Sequence, residues 1–160
     1  MKLEQIVSDY ITNKRKNAEA EGRWFLIQPT FEKAVSMAGR ARKPSGNRFG
    51  HQRRIPGSVL WQSEEALLNS LSALRTARTF EELRQIILSQ IGDIRGIGEL
   101  TVYDTAVRTG AKLKSAPSVV FRHAGTRIGA KALGLDGSQR FIGREAFTAE
   151  ERESLAGGDS

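Results

Sequence analysis

The sequence predicts an all-α protein, a compact bundle of five to seven helices. Three observations carry that prediction. Apolar residues recur at intervals of three and four along most of the chain. Helix-start residues precede several of these runs, and glycines fall at the joints between them.

Leu3, Ile6, Val7, Tyr10 and Ile11 fall at helical spacing and predict an opening amphipathic helix. Asn13 to Arg23 is polar with charges of both signs, reading as a solvated helix end and a loop at Glu21-Gly22. Trp24-Phe25-Leu26-Ile27 fits a buried strand or part of a helix, and periodicity does not decide between them. Pro29-Thr30 opens the next helix, with Phe31, Ala34, Val35 and Ala38 on its inner face. From Arg40 to Arg54 the composition shifts to a basic loop: Arg40, Arg42, Lys43, Arg48, Arg53 and Arg54 occur with no acid, around Pro44, Gly46 and Gly50. Ser63 caps a further helix, with Glu64-Glu65 in its first turn and Ala66, Leu67, Leu71 and Leu74 at helical spacing.

Thr79-Phe80-Glu81-Glu82 reads as a capping box in which the Thr79 hydroxyl accepts from the Glu82 amide and the Glu82 carboxylate reaches back. Phe80, Leu83, Ile86, Ile87 and Ile91 continue at helical spacing. Past the tight turn Ile94-Arg95-Gly96-Ile97-Gly98, the residues Leu100, Tyr103, Val107 and Ala111 line one face of another helix, with Ala106 beside them and Gly110 near its end. A last helix runs from about Thr126 to Leu133 and closes on Gly134. One helical domain over 1–145 and a flexible tail over 146–160 complete the expected organisation.

The chain has 160 residues, with 25 basic and 18 acidic side chains giving a net charge of +7. This balance favours polyanionic partners, nucleic acid ahead of an anionic membrane surface. The absence of cysteine excludes disulfides, cysteine-ligated zinc and iron–sulfur clusters. His51 and His123 are the only histidines, so neither a metal site nor a cofactor is expected. No apolar run approaches the roughly 18 residues of a membrane span. Met1 to Gln5 lacks the apolar core of a signal peptide. The expected setting is the cytoplasm, without a membrane partner.

The turn Ile94–Gly98 exposes amides at the start of a helix, where the helix dipole is positive and a phosphate is favoured. It resembles the helix-hairpin-helix DNA-binding motif, whose core is apolar-Pro-Gly-apolar-Gly. Ile94, Gly96, Ile97 and Gly98 carry the match, which Thr101, Val102 and Ala106 continue within a unit of about residues 79–111. The resemblance implies that hairpin amides grip a DNA phosphate without reading bases. Arg95 stands where Pro is common and adds a charge. Glu99 and Leu100 stand where a Lys or Arg often supports the phosphate. The following stretch, with Pro117 and Val119-Val120-Phe121, resembles the region after the hairpin in base-excision DNA glycosylases. Their catalytic Asp falls at Arg122 and the Schiff-base lysine of bifunctional members at Leu100. The resemblance therefore implies a non-catalytic relative.

Two further clusters suit phosphate. In the basic loop Lys43, Arg48, His51, Arg53 and Arg54 can meet phosphate oxygens while Phe49 stacks on a base or wedges a groove. The loop has no Gly-Lys-Ser/Thr ending and so is not a Walker A loop. Arg122, His123, Arg127 and Lys131 form the second cluster. Asp104 can pair with Arg108 one turn on, as a surface pair worth about 0.3–0.5 kcal/mol. Trp24 and Trp61, in apolar stretches, read as core or rim anchors. The expected function is non-enzymatic, largely sequence-independent binding of nucleic acid, double-stranded DNA first, through Arg95, Gly96, Ile97, Gly98 and the two clusters. The alternatives are a divergent DNA glycosylase or lyase, and a basic protein-interaction module whose hairpin is purely structural.

Overall fold

The computed structural model describes residues 16–121 without a break, together with 5, 8, 12, 13, 131, 134 and 141–143. The chain falls into two compact units, Glu21–Pro117, and Met1–Ala20 with Ser118–Ser160. Six helices are defined among the described residues: α1 (Lys16–Leu26), α2 (Phe31–Gly39), α3 (Gly57–Leu68), α4 (Leu71–Thr76), α5 (Phe80–Ile91) and α6 (Glu99–Leu113). The unit Glu21–Pro117 is a compact helical packing, as the sequence predicts.

The strand-or-helix choice at Trp24 resolves as helix: Trp24–Leu26 is the last turn of α1, with Phe25 buried. The loop expected at Glu21-Gly22 is absent. Ala18, Glu19, Ala20 and Glu21 are strong helix formers, and they carry the helix through a glycine that meets no neighbour. Thr30 caps α2 by accepting from the Lys33 amide at 3.0 Å, and Ala34, Val35 and Ala38 are buried on its inner face. α3 begins at Gly57 after Pro56, six residues before the expected cap. Proline has no N–H to leave unsatisfied and a fixed φ, so it sets the helix start that Ser63 was expected to set. Ser63 instead lies buried in mid-helix. α2 and α3 cross closely at Gly39, where a Cβ would lie 3.0 Å from the Glu64 Cα.

Thr79 caps α5 by accepting from the Glu82 amide at 3.2 Å. The Glu82 carboxylate reaches one residue further than expected and accepts from the Arg78 amide at 2.7 Å. α6 is rotated from its predicted orientation. Thr101, Val102, Thr105, Ala106, Thr109 and Gly110 are buried, whereas Val107 is exposed. Small residues let α6 lie close on its neighbours: the Cβ position of Gly110 is only 3.5 Å from the side chains of Leu83 and Phe80.

One core cluster joins Val35, Leu67, Leu74, Phe80, Leu83, Ile87, Ile91, Ile97, Val102 and Ala106; a second joins Phe25, Ala38, Ala41, Phe49 and Leu60. In the other unit, β1 (Val119–Phe121) pairs antiparallel with β2 (Phe141–Gly143), Val120 opposite Ile142. The sequence pattern had not indicated this short ribbon. Gly134, at φ +71°, donates its amide to the Lys131 carbonyl at 3.1 Å, as a helix-closing glycine does. The helices expected near Leu3–Ile11 and Thr126–Leu133 and the tail 146–160 otherwise lie outside the described residues. No helix among the described residues is long and apolar enough to cross a membrane.

Candidate nucleic-acid interface

The connection between α5 and α6 is a β-turn closed by the Ile97 amide on the Ile94 carbonyl at 2.9 Å. Gly96, third in the turn, has φ +100°, a conformation that L side chains rarely adopt. Ile97 is buried and its amide is spent in the turn, so its part is to anchor the hairpin rather than to meet a ligand. Arg95, Gly96 and Gly98 are exposed. Gly98 starts α6 with extended backbone and no side-chain cap, and a Cβ there would meet nothing within 4 Å. The two glycines thus differ: one is demanded by the turn, the other leaves space.

The start of α3 lies beside this turn. Val59 side-chain carbons approach to 3.5 Å of where a Gly96 Cβ would stand. Like α6, α3 has no side-chain cap, whereas Thr30 and Thr79 cap α2 and α5. Two helix starts without side-chain caps therefore share one region, that of α3 without an acid in its first turn and that of α6 with Glu99 there. Arg53 and Arg54, just ahead of α3, are exposed. Arg48 points inward: one guanidinium nitrogen donates to the Ile55 carbonyl, and the other lies 3.1 Å from the Cβ position of Gly57. Its charge thus stands at the head of α3.

The basic loop is folded rather than slack. An isolated bridge pairs Arg42 with Arg48, Lys43 N–H donates to Asn47 C=O at 2.8 Å, and Phe49 N–H donates to Ala41 C=O at 3.0 Å. Lys43 is exposed at its tip. Phe49 cannot stack on a base as expected, because it is 8% exposed and packs on Phe25 with ring centroids 6.3 Å apart. The Arg108 guanidinium lies 3.7 Å from its ring centroid and the Lys43 ammonium 5.7 Å from it.

Arg108 is the main feature the sequence reading missed. It is no surface partner of Asp104 but is 4% exposed. Its Nε donates to Glu21 at 3.1 Å and its Nη2 to Gln52 Oε1 at 3.2 Å, with Asp104 at 3.7 Å. Burial lowers its pKa, and Asp104 and Glu21 oppose that shift. Gln52 Nε2 donates to Asp104 at 2.7 Å, and the exposed His51 ring meets the same carboxylate oxygen through Nδ1 at 3.2 Å. Asp104 lies six residues into α6 from Gly98, about 9 Å along the axis. The far end of the basic loop is therefore pinned to the helix that the glycine turn begins.

Among the predicted site residues, the structure brings Arg48, the loop end at His51 and the hairpin around the starts of α3 and α6. Lys131 is described and exposed, in the other unit, while Arg122, His123 and Arg127 lie outside the described residues. Among the described residues, no group of three or more His, Asp or Glu is placed to hold a metal ion. The chain matches no protein-family model, no curated protein and no solved structure.

Proposed function

We propose that the helical unit binds nucleic acid, double-stranded DNA foremost, by gripping backbone phosphates at the glycine turn between α5 and α6. The observation that carries this reading is the open start of α6 behind the Gly96 turn, beside the equally open start of α3. Two helix starts without side-chain caps suit an anion, against which Glu99 acts, and Arg95, Arg53 and Arg54 extend the attraction to neighbouring phosphates. Recognition of this kind is largely indifferent to sequence and falls with salt. The resemblance to the helix-hairpin-helix motif favours duplex DNA over RNA.

Gly98→Ala is the cleanest test. It introduces neither backbone strain nor a clash, yet places a methyl where a phosphate must approach. The expected result is unchanged thermal stability, with duplex affinity, read by fluorescence anisotropy at several salt concentrations, reduced about tenfold. Binding equal to wild type would remove the hairpin from the interface. Absence of binding by wild type at low salt would end the DNA reading.

A second reading, acid–base chemistry on nucleic acid, has one observation in its favour. His51 is oriented through Nδ1 by Asp104, which Gln52 holds in turn, and its side chain is 65% exposed. Release or cleavage on damaged duplexes by wild type, lost in His51→Gln with binding retained, is the result that reading requires.

A further inference from the structure

The sequence places Trp61 in an apolar stretch, yet its residue is 59% exposed on α3, the largest exposed apolar side chain among the described residues. Burial of an aromatic ring is a major source of stability, so a tryptophan left in water contributes little to the fold. The Arg40 guanidinium lies over the ring, 4.0 Å from its centroid. Arg40 is held there by the end of α2, which it caps, and by Glu64 at 3.4 Å. Glu64 in turn accepts from the Ser36 hydroxyl at 2.5 Å. One carboxylate, itself held by Ser36, thus holds the guanidinium over the indole. The result is an exposed aromatic plate with a cation on one side.

Arg40 also opens the acid-free segment that runs to Arg54 with six positive side chains. The plate therefore stands at the edge of the most basic part of the described chain. A water-facing indole with a guanidinium over its ring, where the acid-free segment begins, is complementary to a flat base carried on an anionic backbone. An intact duplex keeps its base faces stacked inside and offers the plate nothing. A single-stranded segment offers both base face and phosphate.

We propose that Trp61, held by Arg40, is a stacking platform for an unpaired nucleobase, so that the protein prefers DNA with a single-stranded segment. The inference rests on the nucleic-acid reading above and narrows its substrate class. Because every base has a π-face, the platform does not discriminate strongly among sequences.

The test uses the full chain and two twelve-nucleotide probes, an oligothymidylate and an abasic oligomer of equal length with the same phosphates. Oligothymidylate is expected to quench tryptophan fluorescence and the abasic strand to leave it unchanged. The quench disappears in Trp61→Phe, where Trp24 is the remaining tryptophan. Trp61→Ala, exposed and so compatible with folding as checked by circular dichroism, is expected to weaken oligothymidylate binding about tenfold and duplex binding less than twofold. Equal quenching by both probes, or oligothymidylate affinity unchanged in Trp61→Ala, would overturn the platform. Failure of the hairpin reading looks different: Gly98→Ala then leaves duplex affinity unchanged while the base-dependent quench persists.

Discussion

At the scale of single residues, Arg108 has the greatest consequence. Its guanidinium is buried against Phe49 and shared among Glu21, Gln52 and Asp104. Removing one partner of a buried charge group leaves the others uncompensated and typically costs about 3–5 kcal/mol. Arg108→Met is expected to lower the free energy of urea unfolding by about 3 kcal/mol. Arg108→Lys restores little of it, because an ammonium cannot span the same partners. Tyr103 provides a pH-dependent check on the same helix. Its pKa is raised above 10.0 by burial first, then by Asp104 and Glu81. The folded state therefore disfavours the phenolate. The associated stability is complete below the unfolded value near 10 and is lost as pH rises through the higher folded value. Alkaline unfolding followed by circular dichroism is expected to show this loss in wild type and much less of it in Tyr103→Phe.

At the scale of elements, the C-terminus of α6 permits opposite predictions four residues apart. Ser115 N–H donates to the Gly110 carbonyl at 2.9 Å and Lys114 N–H to the Ala111 carbonyl at 3.3 Å, the two bonds of a Schellman closure. The left-handed position in it is held by Lys114, at φ +55°, rather than by glycine. Lys114 is exposed, so Lys114→Gly is expected to raise unfolding free energy by about 1 kcal/mol. Gly110→Ala is expected to cost about 1–3 kcal/mol, since its methyl would lie 2.5 Å from the Ser115 carbonyl oxygen. Both follow from thermal or urea denaturation. The elements also show what the sequence made legible. α2 and α5 announce themselves through Thr30 and Thr79, because capping is local chemistry within four residues. The facing of α6 departs from the sequence pattern because, Val102 and Arg108 aside, its buried side is made of Thr, Ala and Gly, whose packing value depends on close approach more than on hydrophobicity. Val107 belongs to the expected face yet is exposed, whereas Tyr103 and Ala111 of that face do pack against the core.

At the scale of the whole molecule, the candidate site was legible in its charges and its glycine turn but not in its foundation. The acid-free run from Arg40 to Arg54 and the Gly96–Gly98 spacing are visible in the chain. That Phe49, Gln52, Glu21 and Arg108 meet is not, because Arg108 is separated from Gln52 by 56 residues and from Glu21 by 87. Contacts at such separation are decided by how helices pack, and no local periodicity encodes them. The juxtaposition of the starts of α3 and α6 through Val59 and Gly96 has the same origin.

The pinning of the basic loop determines the thermodynamics of any encounter. A cationic loop that must be immobilised by its ligand loses conformational entropy on binding, about 1–2 kcal/mol for each backbone residue fixed. Here Lys43–Asn47, Phe49–Ala41 and the links from His51 and Gln52 to Asp104 confer that order during folding. The loop amides of the free protein are therefore expected to exchange slowly with deuterium, and adding DNA to change their protection little. Asp104→Asn, which weakens the hold on His51 and removes a charge from beside Arg108, is expected to speed that exchange in the free state alone. In the proposed complex the arginines would then reach phosphates from a less ordered loop, and an interface set in advance would become one assembled on contact.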